Sequence, residues 1–543
     1  MNYQQKKALF LEHSDRQVAN ILRNQVLDES RREYGGIWDP YAGWASQKSG
    51  MNALEPLILA YCMKESAYYH NEDVRKAIDA AFVFCENYRR PDGTFDLSDC
   101  NFFSAPDTSF GIQTLWRAYQ IMDRAGEAPD IKAKLGALIE VCAEGVYKGG
   151  FHTPNHRWVN TSALLIAWKL TGKEHFFKRA QDYLAEGVDC SEDGEFTERS
   201  AGVYNTVNDY AMILIAELLG DDSYLSYARR NLDMMMTFYE PDGSVFTMNS
   251  TRQDNGQRML PNRYYFLYYY LAAKCNIPEY FGFAAMILDS LIRYHEDLSD
   301  LWGFMLLYPE WEALPEYAPK VPEKYSILYP HSGIARIRQG KFTASFIRDN
   351  PTPFAVQLGE MCVYLRIGIS YFNLRNLLTQ TLEKTEEGYR MTMDADGTYR
   401  LPFGEFPGSS LWNEMDHSKR GTLVVAHLKV TMDLIEQENG VDLRVRAEGC
   451  DLIPFKFEFG IPANVEVTNS HFACAAQPGM QLIVKEGNVE LDDGKEHLTF
   501  GPGFADNTYI RSRSGIVEPS RQNMNLYFTG MTNFDRTISF RYE

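Results

Sequence analysis

A short turn phrase recurs four times in the first half of the chain, between segments whose apolar residues follow the period of a helix. The phrases are PDGTF at 91–95, KGGF at 148–151, EDGEF at 192–196 and PDGSVF at 241–246. Their glycines at 93, 150, 194 and 243 are 57, 44 and 49 residues apart, which is the length of one helical hairpin with its loops. Hairpins repeated at this irregular spacing fit an (α/α) toroid, an incomplete barrel in which inner and outer helices alternate. We expect each glycine to adopt a positive φ where a helix ends, and the following loops to line a funnel on one face.

The periodicity changes across a proline-rich stretch. Segment 308–330 contains five prolines and interrupts the helical pattern, so we interpret it as a linker. Beyond it, β-branched and aromatic residues alternate in short runs such as GIARIR, FTASFIRD and FKFEFGI. About eleven such runs predict an antiparallel β-sandwich. The predicted domains are therefore an α/α toroid over 1–307, a linker over 308–330 and a β-sandwich over 331–543.

The charge balance limits the possible partners. The chain carries 54 Lys and Arg residues against 73 Asp and Glu residues, which gives a formal net charge of −19. An acidic chain of this kind repels phosphate backbones and no basic patch offsets the repulsion, so nucleic acid is not an expected partner. Nor does any run of about eighteen apolar residues offer a membrane span. Aromatic residues make up 13% of the chain, which suits stacking on sugar rings and equally suits a large aromatic core.

Nine cysteines are scattered along the chain without any CxxC spacing. Their odd number and wide spread argue against a disulfide framework or a zinc site, so we expect reduced, mostly buried thiols and no bound metal. The N-terminal sequence MNYQQKKALFLEHSDRQ contains only a four-residue apolar run, which is too short for the core of a signal peptide. These features predict a cytoplasmic protein, although a chain that had lost its signal would show the same pattern. The sequence gives no indication of oligomeric state.

The first candidate site lies in GGFHTPNHRWVNTSALL, residues 149–165. Pro154 ends any preceding helix and helical periodicity resumes soon afterwards, so Asn155 and His156 are expected at a helix N-terminus on the loop face. The free N–H groups and the dipole of such a terminus favour an anion nearby. Asn155, His156 and Arg157 are donors of the kind that neutralise a carboxylate. The alternative is that Asn155 only caps the helix and that His156 is a structural histidine.

The second candidate is EDGEFTERSAGVYNTVNDY, residues 192–210, which begins with one of the turn phrases. Glu198, Arg199 and Tyr204 stand in its polar stretch, just before the next helix. This density of hydrogen-bonding groups exceeds what a plain connector needs, although Tyr204 on its own also reads as an interior aromatic.

The third candidate is FTMNSTRQDNGQRMLPNRYYF, residues 246–266, again directly after a turn phrase. Arg252, Gln253 and Arg263 are prominent in it. Arginines grouped in an acidic protein suit bidentate contacts to a carboxylate, and the alternative is that they are solvated surface residues.

Four further residues are weaker candidates. Trp38, Tyr41 and Asn101 lie on the earlier loops, where they fit either sugar subsites or core packing. His331 stands where the linker gives way to the first predicted strand, and we expect it near the junction of the two domains. There is no GxGxxG, P-loop, GxSxG or HExxH motif, so the sequence does not support nucleotide binding, serine hydrolysis or metalloprotease activity.

The order of parts, with an Asn155–His156 pair on one loop and a Glu-x-Ser-x-x-x-Tyr cluster at 198–204 on another, resembles the polysaccharide lyases of the heparinase II/III and alginate lyase type. The resemblance implies that Asn155 and His156 lie beside the carboxylate of an acidic sugar and that Tyr204 is the proton donor. The His or Tyr that some members contribute from the C-terminal domain, and their metal-binding residues, have no assigned counterpart here, and no cofactor is implied.

The implied activity is β-elimination at a 4-linked uronic acid, which leaves a C4–C5 double bond. Donors such as Arg252 would stabilise the enolate-like intermediate, and Tyr204, with His156 as the other candidate base, would move the protons. For a cytoplasmic enzyme, acidic oligosaccharides cleaved in an exo fashion are the more plausible substrates. One alternative is a catalytically silent glycan-binding protein. The other is a glycoside hydrolase with two carboxylates drawn from a pool of four, namely Asp92, Asp107, Asp193 and Glu198.

Overall fold

The computed structural model describes residues 1–510 and 518–543. The chain divides into two compact units. The first comprises Met1–Phe238 and Val245–Val321, and the second comprises Tyr239–Ser244 and Pro322–Glu543.

The first unit is built from α-helices. Its twelve described helices are α1 Tyr3–Asn24, α2 Ser49–Cys62, α3 Glu72–Tyr88, α4 Ala105–Ala125, α5 Pro129–Lys148, α6 Pro154–Thr171, α7 Glu174–Leu184, α8 Tyr204–Leu219, α9 Leu225–Phe238, α10 Tyr264–Cys275, α11 Pro278–Arg293 and α12 Ser299–Leu307. Two short antiparallel pairs lie in the loops, β1 Trp38–Asp39 with β2 Trp44–Ala45 and β3 Phe95–Leu97 with β4 Asn101–Ser104.

Inner and outer helices alternate as the sequence predicts. Helices α2, α4, α6, α8 and α10 contact one another in succession, with α12 packed against α2 and α4, and α3, α5, α7, α9 and α11 each pack on the helix before them. The outer helix α7 buries only Phe176, Ala180 and Tyr183, which is one face at helical spacing. The inner helix α6 is buried on most sides, including its polar Asn160. The α/α toroid is thereby confirmed.

Three of the four turn phrases share one geometry. In each, the N–H of the residue just before the phrase donates to the carbonyl oxygen four residues on, as in Arg90 to Thr94 and Ser191 to Glu195. Gly93 and Gly194 have φ of +107° and +97°, and a Cβ on either would overlap the backbone of the outer helix beside it. The expectation of positive φ is wrong for Gly150, because α5 ends at Lys148 in an extended C-cap, Gly149, and not in a left-handed turn.

The second unit contains two sheets. Its described strands are β5 Lys324–Tyr329, β6 Ile334–Gln339, β7 Phe342–Ile347, β8 Phe354–Leu358, β9 Met361–Tyr371, β10 Leu374–Asn376, β11 Thr381–Lys384, β12 Gly388–Arg400, β13 Thr422–Gln437, β14 Gly440–Gly449, β15 Pro454–Ile461, β16 Glu466–Asn469, β17 Phe472–Ala475, β18 Gln481–Ile483, β19 Val489–Asp492, β20 His497–Gly501, β21 Met524–Met531 and β22 Phe534–Tyr542. One sheet has the order β18-β21-β15-β9-β8-β7-β6-β5 with β10 beside β9, and the other has the order β11-β12-β13-β14-β22-β20-β19-β16-β17. The named strand pairs are antiparallel except for the parallel pair of β18 with β21.

Apolar side chains of both sheets form one core. Val356 and Phe459 from the first sheet and Leu443 and Phe540 from the second are buried in it. The rings of Phe459 and Phe540 approach to 6.3 Å between centroids. The antiparallel β-sandwich is confirmed, with more strands than the sequence indicated, because short strands such as Thr381–Lys384 show little apolar alternation.

The boundary between the units lies earlier than the sequence suggested. The second half of the proposed linker is strand β5, which pairs with β6 along its whole length. The alternation of KYSILY resumes directly after Pro322, so this segment belongs to the sheet. The turn segment Tyr239–Ser244 also belongs to the second unit. There the Glu240 carboxylate accepts a hydrogen bond from Thr343 Oγ1 at 2.7 Å and pairs with the buried Arg336 at 2.9 Å.

All nine cysteines are free thiols. Only Cys62, Cys85 and Cys142 are fully buried, so the expectation of mostly buried thiols is wrong. Within the described part of the chain, no helix is both long and apolar enough to cross a membrane.

Candidate functional site

Three segments of the first unit meet at one polar cluster. They are the N-terminus of α6, the loop 198–203 that leads into α8, and the loop 246–263 between α9 and α10. Each begins at or near a turn phrase, so the repeated architecture brings together residues that are about fifty positions apart in the sequence.

Asn155 is the second residue of α6 and is fully buried. Its backbone N–H and its Nδ2 both donate to Glu198 Oε2, at 3.0 and 2.6 Å. Nδ2 also donates to Thr153 Oγ1 at 3.0 Å, while Oδ1 has no hydrogen-bond partner in the described structure. Both amide hydrogens of Asn155 are therefore engaged by the protein.

Glu198 joins this helix terminus to the third segment. Its Oε1 lies 3.3 Å from Arg252 Nε, and its side chain is only 4% exposed, against 33% for Arg252. Burial raises the pKa of Glu198, and the hydrogen bonds from Asn155 and the charge of Arg252 act in the opposite direction. Glu198 was predicted to contact substrate. In the structure its carboxylate is occupied by protein groups and holds Asn155 and Arg252 in place.

Tyr204 is the first residue of α8 and is half-buried. The Arg252 guanidinium lies over its ring, 5.2 Å from the centroid. Gln253 Nε2 donates to the phenol oxygen at 3.0 Å. The phenol is thus fixed by two neighbouring residues of one loop, and one of them carries a positive charge.

A buried aspartate that the sequence analysis did not single out fixes the two loops to each other. Asp254 Oδ1 accepts from Ser200 Oγ at 2.9 Å and from Ser250 Oγ at 2.5 Å, and its Oδ2 accepts from the Gly202 N–H at 2.9 Å. In the sequence, Asp254 is marked only by its position close to Arg252 and Arg258, and its partners Ser200 and Gly202 lie about fifty residues earlier. Arg199, on the loop before α8, has φ of +52°, and its Nε lies 3.6 Å from the Glu195 carboxylate.

His156 follows Asn155 and is half-buried, with the ring of Phe110 edge-on at 6.4 Å. Burial lowers the pKa of His156 to about 4; the Asp107 carboxylate opposes this shift, and the charges of Arg252 and Lys48 add to it. Its Nδ1 is buried without a hydrogen-bond partner among the described residues. The imidazole is consequently neutral near pH 7, so a nitrogen lone pair is available to a proton, and the lowered pKa makes it a weak base.

Asp107 is engaged with groups on three sides. Lys48 Nζ lies 3.0 Å from its Oδ1, and Ser104 Oγ and Asn101 Nδ2 donate to its Oδ2 at 2.6 and 3.4 Å. Burial alone would raise the pKa of Asp107, but the Lys48 charge and these hydrogen bonds hold it below its usual value. Asp107 is thus an ionised partner of Lys48, and Asn101 supports it.

A cavity of about 570 Å³ opens beside Tyr204. Residues of α4, α8, α10 and α12 line it, together with Lys48 at the N-cap of α2. Arg263 is on its wall, and the cluster described above reaches it through Tyr204. Its volume is within the range of about 300–1,000 Å³ that is usual for small-molecule sites.

The structure places other predicted residues in different surroundings. Arg157 turns to the loop after α7, where it pairs with Glu186 at 3.2 Å and stacks on Trp158. The Trp38 ring lies under Arg31 at 4.9 Å, and Tyr41 is fully exposed. His331 is exposed in the turn between β5 and β6 of the second unit. Across residues 1–510 and 518–543, no three His, Cys, Asp or Glu side chains group as metal ligands.

No family model and no curated protein matches this sequence. Solved structures do match. A xanthan lyase from Paenibacillus has a TM-score of 0.62 at 10% identity, over 100% of this chain and 57% of its own. A chondroitin AC lyase from Streptomyces coelicolor A3 has a TM-score of 0.55 at 11% identity, over 98% of this chain and 79% of its own.

A heparan sulfate lyase HepC mutant from Pedobacter heparinus has a TM-score of 0.51 at 11% identity, over 98% of this chain and 82% of its own. This chain spans little more than half the length of the xanthan lyase. The three similarities extend through both units rather than the toroid alone. The chain therefore has the fold of the polysaccharide lyases that combine an α/α toroid with an antiparallel β-sandwich.

Proposed function

We propose that this protein is a polysaccharide lyase that cleaves a 4-linked uronate-containing glycan by β-elimination. The observation that carries the proposal is the setting of Tyr204. Its phenol is held by Gln253, its ring lies beside the Arg252 guanidinium, and it stands on the wall of a sugar-sized cavity. A neutral imidazole, His156, belongs to the same cluster.

The reaction needs a positive charge near the substrate carboxylate. The proton on C5 of a uronate is very weakly acidic, and its removal builds negative charge on the carboxylate oxygens. Arg252 is partly exposed and oriented by Glu198, so we assign it to that carboxylate. Asn155 has both amide hydrogens engaged. We infer that Asn155 acts through Glu198, by holding the partner that orients Arg252.

Two groups are suited to move the protons. The base takes the C5 proton, the C4–O4 bond breaks as the double bond forms, and an acid protonates the leaving oxygen. Tyr204 is our candidate for the acid. The base is either Tyr204 itself or His156, depending on the face from which the C5 proton leaves.

Three of the four carboxylates in the pool for the rival hydrolase mechanism bind other protein groups. Asp92 Oδ1 accepts from the N–H and Oγ1 of Thr94 within its turn, at 3.0 and 2.8 Å. Asp107 is paired with Lys48, and Glu198 is enclosed by Asn155 and Arg252. The arrangement therefore favours elimination. The acidic nature of the substrate, a preference for oligosaccharides and a cytoplasmic location are parts of the proposal that come from the sequence.

The test is a pair of assays on uronic-acid oligosaccharides. Elimination creates a double bond conjugated to the carboxylate, which absorbs in the ultraviolet, whereas hydrolysis creates reducing ends without that absorbance. We expect rising absorbance with the wild-type protein and loss of it with Tyr204→Phe. Tyr147→Phe, which changes an exposed tyrosine on the outer helix α5, is the matched control. Reducing ends without absorbance would refute the lyase proposal and favour a hydrolase. If the oligosaccharides bind but neither absorbance nor reducing ends increase, a glycan-binding protein would be favoured.

A further inference from the structure

The cavity beside Tyr204 has two cations whose charges are already balanced by the protein. Lys48 is paired with Asp107 at 3.0 Å. Arg117, at the buried end of the cavity, is held by Glu55 through two hydrogen bonds, one of them from Nη2 at 2.7 Å. Both side chains are also less exposed than Arg252, at 17% for Lys48 and 7% for Arg117 against 33% for Arg252, so they are less accessible to an anionic ligand.

The remaining charged groups of the cavity wall are acidic on balance. Asp297 and Asp300, at the start of α12, line the cavity together with Arg263. Asp297 is bonded to the Ser299 N–H and Oγ, and Asp300 is exposed. Two negative groups therefore face one positive group, and the wall carries a net negative charge. An anion placed there meets repulsion that the paired Lys48 and Arg117 do not offset.

The rest of the wall suits the faces and hydroxyls of a sugar. The rings of Phe110, Phe266 and Phe304 line the cavity, and Asn262 adds a neutral amide, whereas Gln113 Nε2 already donates to Ser162 Oγ at 2.8 Å. Aromatic rings stack on the apolar faces of pyranoses, and amides pair with hydroxyls without requiring charge on the ligand.

We propose that this cavity binds an uncharged sugar next to the uronate and selects against a sulfated sugar or a second uronate at that position. The inference rests on the proposed function, because it takes Tyr204 as the point of cleavage. It specifies the substrate class: glycans in which the uronate that is cleaved neighbours a neutral sugar. Arg252 pairs with the carboxylate of the uronate, and the cavity binds the neutral sugar.

The experiment uses pairs of oligosaccharides that share the uronate and differ only in O-sulfation of the neighbouring sugar, with a polyuronate as a third substrate. We expect kcat/KM for the neutral member to exceed that for the sulfated member by about tenfold or more, a ratio that shrinks as salt screens the charges. Asp300→Asn should narrow the ratio several-fold, since it removes one negative group from the wall. Asp182→Asn, on the exposed side of the outer helix α7, should leave the ratio unchanged.

Binding measured by calorimetry, on the wild type and on Tyr204→Phe, separates the two proposals. If no sugar is cleaved but the neutral member still binds more tightly, the lyase proposal fails, and the preference of the cavity for a neutral sugar stands as a binding property. If elimination occurs and the sulfated member or the polyuronate is cleaved as fast, the cavity inference is overturned while the lyase proposal stands. If neither member of a pair binds, the cavity inference is also overturned.

Discussion

His156 offers a direct measure of how the toroid surrounds its candidate site. Burial lowers the pKa of this imidazole from 6.5 to about 4. Below about pH 6.5 the unfolded chain takes up a proton that the folded protein resists. The stability contributed by a neutral, buried His156 is therefore present above pH 6.5 and is lost as the pH falls towards 4.

The size of the effect follows from the shift. At about 1.4 kcal/mol per pKa unit, the full shift corresponds to about 3 kcal/mol, of which about 2 kcal/mol is lost between about pH 7 and pH 5. His156→Gln cannot be protonated, so the variant should lack this part of the pH dependence. The effect of Glu198, whose raised pKa acts with the opposite sign, is present in both proteins and cancels in the comparison.

The assay is urea unfolding followed by far-ultraviolet circular dichroism, which reports mainly on the helical first unit. Wild type and His156→Gln are compared at several pH values between about 7 and 5. His295→Gln, which replaces an exposed imidazole just after α11, is the matched control. If His156→Gln kept the wild-type slope, burial would not lower the pKa of this imidazole in the folded protein, and the reasoning would be refuted.

Three further predictions concern the same cluster. Tyr204→Phe should lower kcat for elimination by about a thousandfold or more with little change in oligosaccharide binding, because it removes only the proton-transfer group; initial rates and calorimetry measure the two effects. Glu198→Gln should lower kcat about tenfold or more with a small change in melting temperature, because the amide still accepts from Asn155 but no longer pairs with Arg252; an equal loss on Glu198→Ala without destabilisation would contradict this. Gly194→Ala should destabilise the first unit by about 3 kcal/mol, because a Cβ there overlaps the backbone of α9 at Arg230; unchanged thermal unfolding would refute the packing described for the turn phrase.

The architecture of each unit was predictable because it follows from the local periodicity of apolar residues, which is helical in the first unit and alternating in the second. Turn phrases at the spacing of a helical hairpin predict the toroid, and Gly93 and Gly194 behave as the pattern requires. The assignment of Tyr239–Ser244 to the second unit was not predictable, since it depends on the pairing of Glu240 with Arg336, nearly a hundred residues later. Local sequence does not show which distant cation a buried carboxylate will meet.

The residues of the candidate site also fall into those whose position the sequence predicts and those whose position it does not. Asn155, Tyr204 and Arg252 each follow a turn phrase, so their placement near one another could be expected from the repeat. The surroundings of Arg157 could not be inferred from its position next to His156 in the sequence. Successive residues of a helix are about 100° apart around its axis, so the residue after His156 turns to Glu186 instead.

Two buried carboxylates explain how three loops form one rigid site. Glu198 joins the terminus of α6 to Arg252, and Asp254 joins the loop before α8 to the same segment. Burying a carboxylate is unfavourable unless hydrogen bonds or a counter-charge offset the cost. Glu198 has both, and Asp254 accepts three hydrogen bonds. A charge that must stabilise a transition state is most effective when its position is fixed before substrate binds. The buried acids of this cluster are therefore best understood as the framework that holds Arg252 and Tyr204 ready.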